Sequence, residues 1–488
     1  MSFETLREAI HSLTPIFYLI TVVMFIFGLK FLQSPRTARR GNLLSGLGML
    51  IAIVATLLGQ GILNYTTVLI IMAVGSVIGV YLAYKVKMTD VPQFVAILNG
   101  FGGAVSAVVG VAEFLVYFQT GETPGGVPKT QFLTAVAADA FIGTLTFWGS
   151  LIAFAKLQGI LSEKSFVLFG KNVFNSLFLL GALVTGAFLV ITGSALDFTK
   201  GPVDVTVVAI FLGAVVLAAT LLGLTLAMAV GGADMPIIIA LFISYAGLSA
   251  SALGFTNANY GLIMAGSLVG ASGLILTRSM AKAINRNFWA ILLGNITPPS
   301  HQATSKDDIY AGRIKTTTPE EYVGVLDAAQ TIVIVPGYGM AVAQAQGACR
   351  DLFNELSADG KEVYFAVHPV AGRMPGHMNV LLAEVNIPYD RLKELDESNE
   401  ILENADVAII LGANDVVNPM ARDAKDTPIY GMPILDVDKA GSILVIKRSL
   451  SPGFSGIPNP LFVLDKTLMM FMDAKPALQE LVKAWKER

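Results

Sequence analysis

Cysteine is almost missing from this 488-residue chain. Its single copy, Cys349, excludes a disulfide framework, a cysteine-built zinc site and an iron–sulfur cluster. Histidine is nearly as scarce. His11, His301, His368 and His377 are the whole set, and no two stand four apart, so metal chemistry has few ligands to draw on. Charge is the third shortage, at 14% against about 25% in ordinary soluble domains. It is also unevenly placed. Residues 1–300 hold 15 Lys/Arg and 10 Asp/Glu, and residues 301–488 hold the remaining 18 and 26, so the first part carries +5 and the second −8. A single soluble globule is excluded. So is nucleic-acid binding through a basic surface, because the water-facing part is acidic.

What is present in the first part is apolar sequence. Stretches of bilayer length, about 20 residues, fall near 15–32, 42–62, 66–84, 92–118, 131–155, 173–192, 203–230, 236–255 and 259–281. The breaks between them are turn-like, for example Thr123-Pro124-Gly125-Gly126 and Gly201-Pro202. Residues 1–285 therefore read as a membrane domain of about nine helices, 286–320 as a linker and 321–488 as a soluble domain. The opening residues, Met-Ser-Phe-Glu-Thr-Leu-Arg-Glu, resemble neither a signal sequence nor a transit peptide. Starting the first span outside puts twelve Lys/Arg inside and leaves only Arg7, Lys129 and Lys200 outside. The positive-inside rule thus predicts an external N-terminus and a cytoplasmic soluble domain.

Polar groups at depth are costly and mark function more often than small residues do. Asp139 sits mid-span with no basic residue near it in sequence, which reads either as a transport group or as a satisfied interhelical hydrogen bond, with transport favoured. Glu113 reads as an ordinary carboxylate near the outer end of its helix. An internal repeat adds to the pattern. Asp90-Val-Pro-Gln-Phe through Gly103 lies over Asp234-Met-Pro-Ile-Ile through Gly247, 144 residues later, with Asp, Pro and the last Gly coinciding. Asp before Pro is a helix-start signal. Its recurrence suggests a duplicated pair of helices lining one path.

The second part alternates short β-branched runs with helical patterns, the signature of a parallel α/β sheet of Rossmann-like type. Predicted strands are 331–335, 362–367, 406–411, 442–446 and 461–464, with a closing helix after them. Thr316-Thr-Thr-Pro-Glu-Glu reads as a helix cap. Gly337-Tyr338-Gly339-Met340-Ala341-Val342 is the dinucleotide fingerprint with its last glycine replaced, placed between strand and helix as the motif requires. An NAD site wants an acid at the end of the second strand to bind the ribose 2′-hydroxyl. Here that strand runs into Val367-His368-Pro369. Lys447, Arg448 and Ser449 follow a later strand instead, a set suited to a 2′-phosphate, so NADP(H) is the predicted cofactor.

The runs Gly337–Gln346, His368–Glu384, Gly412-Ala413-Asn414-Asp415 and Lys447–Ser449 together resemble the NADP(H)-binding domain of proton-translocating NAD(P) transhydrogenase. Gly231-Gly-Ala-Asp-Met-Pro236 is similar to a membrane segment of that enzyme's beta subunit. The resemblance covers nearly the whole chain. It implies NADP(H) lying reversed on the sheet, with Tyr338, Val370, Ala371, Gly372, Arg373, Pro375 and the 412–415 turn around it. It also implies Lys447, Arg448 and Ser449 on the 2′-phosphate and a closing loop of Gly453, Phe454 and Gly456. A separate alpha subunit would supply the NAD(H) site and further membrane helices, in a dimer of alpha–beta units in a bacterial inner membrane. Alone, the chain would not transfer hydride.

Three positions depart from the family's pattern as many members show it. Asn99 stands where a histidine is common, Ile243 where an Asn is common, and Ala135 where a Glu is common. Asp139 lies one helical turn after Ala135 on the same face. Asn99 and Asp139 are therefore the expected proton-path residues, with the partner subunit as a further source of protonatable groups. Asp415 is the expected sensor of protonation or redox state near the nicotinamide. Asp234 and Arg286 either relay that state or serve as a helix cap and a topology anchor. The rival class is an NADPH-sensing channel or transporter without hydride chemistry, which a co-purifying NAD-binding subunit would discriminate.

Overall fold

The computed structural model describes residues 3–32, 35–59, 65–162, 166, 171–196, 206–285, 287–292, 309–310, 312–374, 376–427, 429–453 and 455–488. Among these residues nine helices are long and apolar enough to cross a membrane. They are α1 (Phe3–Leu32), α2 (Pro35–Gly59), α3 (Tyr65–Lys85), α4 (Val91–Thr120), α5 (Lys129–Leu157), α6 (Lys171–Ser194), α7 (Thr206–Met228), α8 (Met235–Thr256) and α9 (Tyr260–Ala283). Helices are expected here because a bilayer offers no water to backbone groups, so each segment must satisfy its own.

α5 is the central member and packs against α4, α6, α7 and α8, whereas α3 buries no residue. The sequence repeat is a repeat of hairpins. Asp90 and Asp234 each end a 3-10 turn and precede a helix with Pro in its first turn, but neither side chain caps the helix it precedes. The last glycine of each copy meets the following helix. A Cβ on Gly103 would stand 2.7 Å from Gly143 O of α5, and one on Gly247 would stand 2.8 Å from Gly266 O of α9. Small residues thus let both pairs approach backbone to backbone.

The soluble domain is a six-stranded sheet in the order β3-β2-β1-β4-β5-β6, every neighbouring pair parallel. The strands are β1 (Thr331–Pro336), β2 (Glu362–Ala366), β3 (Leu392–Lys393), β4 (Val407–Leu411), β5 (Ser442–Ile446) and β6 (Thr467–Met470). This is the doubly wound order, with its topological switch between β1 and β4. Helices α10 (Pro319–Ala328), α11 (Gln346–Ala358), α12 (His377–Glu384), α13 (Leu395–Leu402) and α14 (Ala474–Glu487) accompany the sheet. Thr318 and Glu321 close a capping box at the start of α10.

One expectation is corrected. Leu461–Leu464 is not a strand: Pro460–Val463 forms a 3-10 turn, with the Asn459 side chain accepting from Leu461 N at 3.0 Å, and the edge strand comes later as β6. Proline withholds a ladder donor and the asparagine holds the chain in a turn, which overrides the β-branched pattern. The amphipathic helix expected to run to about Leu356 follows the fingerprint. One turn, Tyr338–Val342, stops before Gln344 at φ 49°, and α11 begins at Gln346.

Candidate dinucleotide site and membrane carboxylates

The fingerprint and the Gly412-Ala413-Asn414-Asp415 turn leave the C-terminal ends of β1 and β4, the two strands that flank the switch point. They press together there. Gly337 N donates to Leu411 O and Gly339 N to Gly412 O, both at 3.0 Å. A Cβ on Gly337 would lie 2.5 Å from Ala413 Cα, and Gly412 sits at φ 63°, in the left-handed region. Met340 and Ala341 are buried, while Val342 is exposed. Asn459 Nδ2 donates to Asn414 Oδ1 at 3.1 Å, which leaves Asn414 Nδ2 a buried donor without a partner among the described residues.

Asp415 anchors the loop that follows β5. Its carboxylate accepts from Ser455 N at 2.9 Å and from Ser455 Oγ at 2.6 Å. Gly453 backs directly onto it, a Cβ there falling 2.6 Å from Asp415 Oδ1. Gly456, at φ 74°, completes the turn. Phe454 lies outside the described residues. Lys447 donates to Ser451 O and stands 5.3 Å from the centre of the Phe462 ring. Burial pulls its ammonium down to about 8, against the opposing pull of Asp415. Ser449 Oγ donates to Ser451 Oγ at 3.0 Å, and Arg448 is exposed.

The 368–377 loop is held by two buried imidazoles. His368 Nδ1 accepts from Val370 N at 3.3 Å while its Nε2 bonds Pro433 O at 2.9 Å. His377 Nδ1 accepts from Arg373 N at 3.1 Å, and its ring fills the space beside Gly372, whose φ is 105°. Burial drives both rings down to about 4, with the Arg373 charge adding to the effect on His377. Both are therefore neutral acceptors at pH 7. Pro375 lies outside the described residues.

This loop also meets the membrane domain. Arg373 Nη1 donates to Leu157 O, at the end of α5, over 2.9 Å, and its guanidinium sits 4.6 Å from the Tyr338 ring centre. Gln93 Nε2 shares the same Leu157 carbonyl at 3.4 Å. Val370 packs against an apolar cluster of the bundle, and Ala371 belongs to the sheet core. Asn285 Nδ2 adds a bond to Tyr430 O at 2.7 Å.

Within the bundle, Asp139 is fully buried. Its Oδ1 accepts from Ser106 of α4 at 2.6 Å and from Ser249 of α8 at 2.5 Å. Asn99 Nδ2 donates to Ser150 Oγ of α5 at 3.1 Å. Asp234 is buried at the docked end of the bundle, and Arg286 lies outside the described residues. The fingerprint, the 412–415 turn and the 453–456 loop thus form one site. Asn99 and Asp139 are bridged to it through α5. Ser106, Ser249, Ser455 and Asn459 were not expected from sequence; Ser106 alone left a trace there, standing seven residues after Asn99.

A doubly wound dinucleotide domain docked on a bundle with a buried carboxylate defines a class: membrane proteins that couple nucleotide chemistry to a path across the bilayer. The model of the family "NAD(P) transhydrogenase beta subunit" matches residues 14–484. Two curated Rhodospirillum rubrum sequences, each named NAD(P) transhydrogenase subunit beta, are 41% identical over 474 residues, covering 97% of this chain and 99% of the relatives. The chain belongs to the NAD(P) transhydrogenase beta subunit family.

Proposed function

We propose that this chain binds NADP(H) at the β1–β4 crevice and that its helices carry the protons to which hydride transfer is coupled. Transhydrogenation is the activity of the family, and a beta subunit works with an alpha subunit. In our reading the alpha subunit holds NAD(H) and adds membrane helices, two alpha–beta units pair, and the docked end faces the cytoplasm of a bacterium.

One observation supports this most directly. The two glycine turns meet at the switch point with no side chain between them, and the switch point of a doubly wound sheet is where a dinucleotide binds. The donor set fits the rest of the cofactor. Asn414 Nδ2 is a buried donor in want of an acceptor, and Lys447, Arg448 and Ser449 follow β5 while no acid follows β2. Bound NADP(H) supplies the nicotinamide carbon that gives or takes hydride. Tyr338 and Arg373 flank the crevice. Asp415 holds the 453–456 loop beside it, which would exclude water from the reacting carbons.

Asp139 and Asn99 are the proposed path residues. In the complex assembled with its alpha subunit, Asp139→Asn is expected to abolish pH-gradient formation and slow forward turnover while NADPH binding stays unchanged. Asn99→His is expected to be tolerated. Normal pumping by Asp139→Asn in sealed vesicles would make the carboxylate a packing hydrogen bond only.

A further inference from the structure

We propose that Glu113 is the proton carrier at the far end of the bundle, opposite the soluble domain, and that it exchanges protons with Asp139. The proposal rests on the reading of Asp139 as a path residue. α4 carries Asn99, Ser106 and Glu113 at intervals of seven, with Gln93 six residues before them. Seven residues is close to two helical turns, so these side chains form one stripe. α8 repeats the interval with Ser249 and Thr256, and both helices start at the docked end.

The two stripes bind their carboxylates in the same order. Ser106 and Ser249 both donate to Asp139, from α4 and α8. One interval further along, Thr256 and its neighbour Asn257 each donate to an oxygen of Glu113. Sequence alone reads Glu113 as an interfacial carboxylate. An interfacial carboxylate turns outward to water, but this one is turned inward and engaged at both oxygens.

A second observation points from Asp139 toward Glu113. Asp139 Oδ2 is buried and has no hydrogen-bond partner among the described residues. It lies against the bare backbone of Gly110, where a Cβ would come within 2.5 Å of it. Gly110 precedes Glu113 by three residues, on the same face of α4. The open oxygen therefore faces the strip of α4 that leads to Glu113. The rise from Ser106 to Glu113 is about 10 Å, a distance for a short water chain, and from Gln93 to Glu113 about 30 Å, the thickness of the hydrocarbon layer.

The step is a proton transfer and needs no other reactant. Protonated Glu113 gives its proton through water to the Asp139 carboxylate. Glu113, left anionic, takes a proton from the far-side solution, and Asp139 passes its own toward the Asn99 layer.

The test uses the alpha–beta complex in sealed proteoliposomes and compares Glu113→Gln and Glu113→Asp with the parent. Glu113→Gln keeps the shape and one of the two acceptor oxygens but cannot carry a proton. It is expected to lower the initial rate of pH-gradient formation at least tenfold, with NADPH affinity within twofold and an unchanged thermal midpoint. Glu113→Asp should pump at least threefold faster than Glu113→Gln. Pumping by Glu113→Gln within twofold of the parent overturns the proposal, as does equal slowness of the Gln and Asp variants. If Asp139→Asn pumps normally, the underlying reading falls as well. If Asp139→Asn fails and Glu113→Gln pumps, only the Glu113 assignment falls. Should Glu113→Gln not assemble, Glu113→Asp decides. The shortened carrier is expected to slow pumping threefold or more, and pumping within threefold of the parent overturns the assignment.

Discussion

Replacing Arg373 with Ala tests how firmly the nucleotide domain is seated on the bundle. Two contacts disappear together: the 2.9 Å bond from Nη1 to Leu157 O and the guanidinium 4.6 Å over Tyr338. A hydrogen bond from a charged donor contributes about 1.5–3 kcal/mol, and a partly exposed cation–π contact about 0.5–1 kcal/mol. Their sum weakens the seated state by about 2–4 kcal/mol, roughly 30- to 700-fold in the seated-to-released ratio. Among the described residues the seat that remains includes the Asn285–Tyr430 bond, the apolar contacts of Ile284 and Val370, and the approach of α12 to the Met88–Asp90 turn. Hydrogen–deuterium exchange on the detergent-solubilised chain reads this at a distance from the mutation. Peptides covering 284–285 and 429–432 should lose protection by a factor in that range, while β1 and β4 keep theirs. Arg373→Lys keeps charge without the flat stacking surface and should fall between. Unchanged protection at 284–285 and 429–432 would refute the idea that Arg373 holds the two domains together.

Three further outcomes are expected. Arg448→Ala should weaken NADPH binding by about 1.5–3 kcal/mol and leave NADH binding unaffected; superimposable titrations for the two nucleotides would remove Arg448 from the 2′-phosphate. Gly337→Ala should cost about 1–3 kcal/mol of domain stability, because its Cβ meets backbone at Ala413 that cannot turn aside, and an unchanged thermal midpoint would contradict this. His368 and His377, ordinarily near 6.5 and held near 4 by burial, remain neutral where the unfolded chain protonates. The soluble domain should therefore keep full stability above about pH 6.5 and lose it as pH falls toward 4, by up to about 3 kcal/mol per ring. His368→Gln should flatten that slope in thermal melts.

The legible parts of the molecule are those where one force acts alone. Bilayer-length apolar runs gave the nine spans seen among the described residues, because a single segment in lipid can satisfy its own backbone only as a helix. The glycine fingerprint located the β1 turn, because a close backbone approach admits no other residue. Legibility failed where distant segments compete. Leu461–Leu464 has the composition of a strand, but Pro460 and Asn459 turn the chain first. The two-residue strand Leu392–Lys393 is too short to leave a period. Glu113 looked unremarkable because its partners, Thr256 and Asn257, are more than 140 residues away. The two histidines stood out as scarce ionisable groups, yet they serve as neutral acceptors for loop amides, which only burial reveals.

The central helix has a mechanical property that follows from counting. Asp139 and Leu157 both belong to α5 and are eighteen residues apart, which at 3.6 residues per turn is five whole turns and a rise of about 27 Å. The residue with the carboxylate in the middle of the bundle and the residue whose carbonyl receives Arg373 therefore lie on the same side of one helix. A small rotation or slide of that helix, were Asp139 to tighten or loosen its hold on Ser106 and Ser249, would be carried to Leu157. The carbonyl at the far tip then moves under the guanidinium that leans on Tyr338. Three separate parts of the protein are thereby geared by one straight shaft, and lengthening it by a single residue would turn the tip about 100° out of phase with the carboxylate.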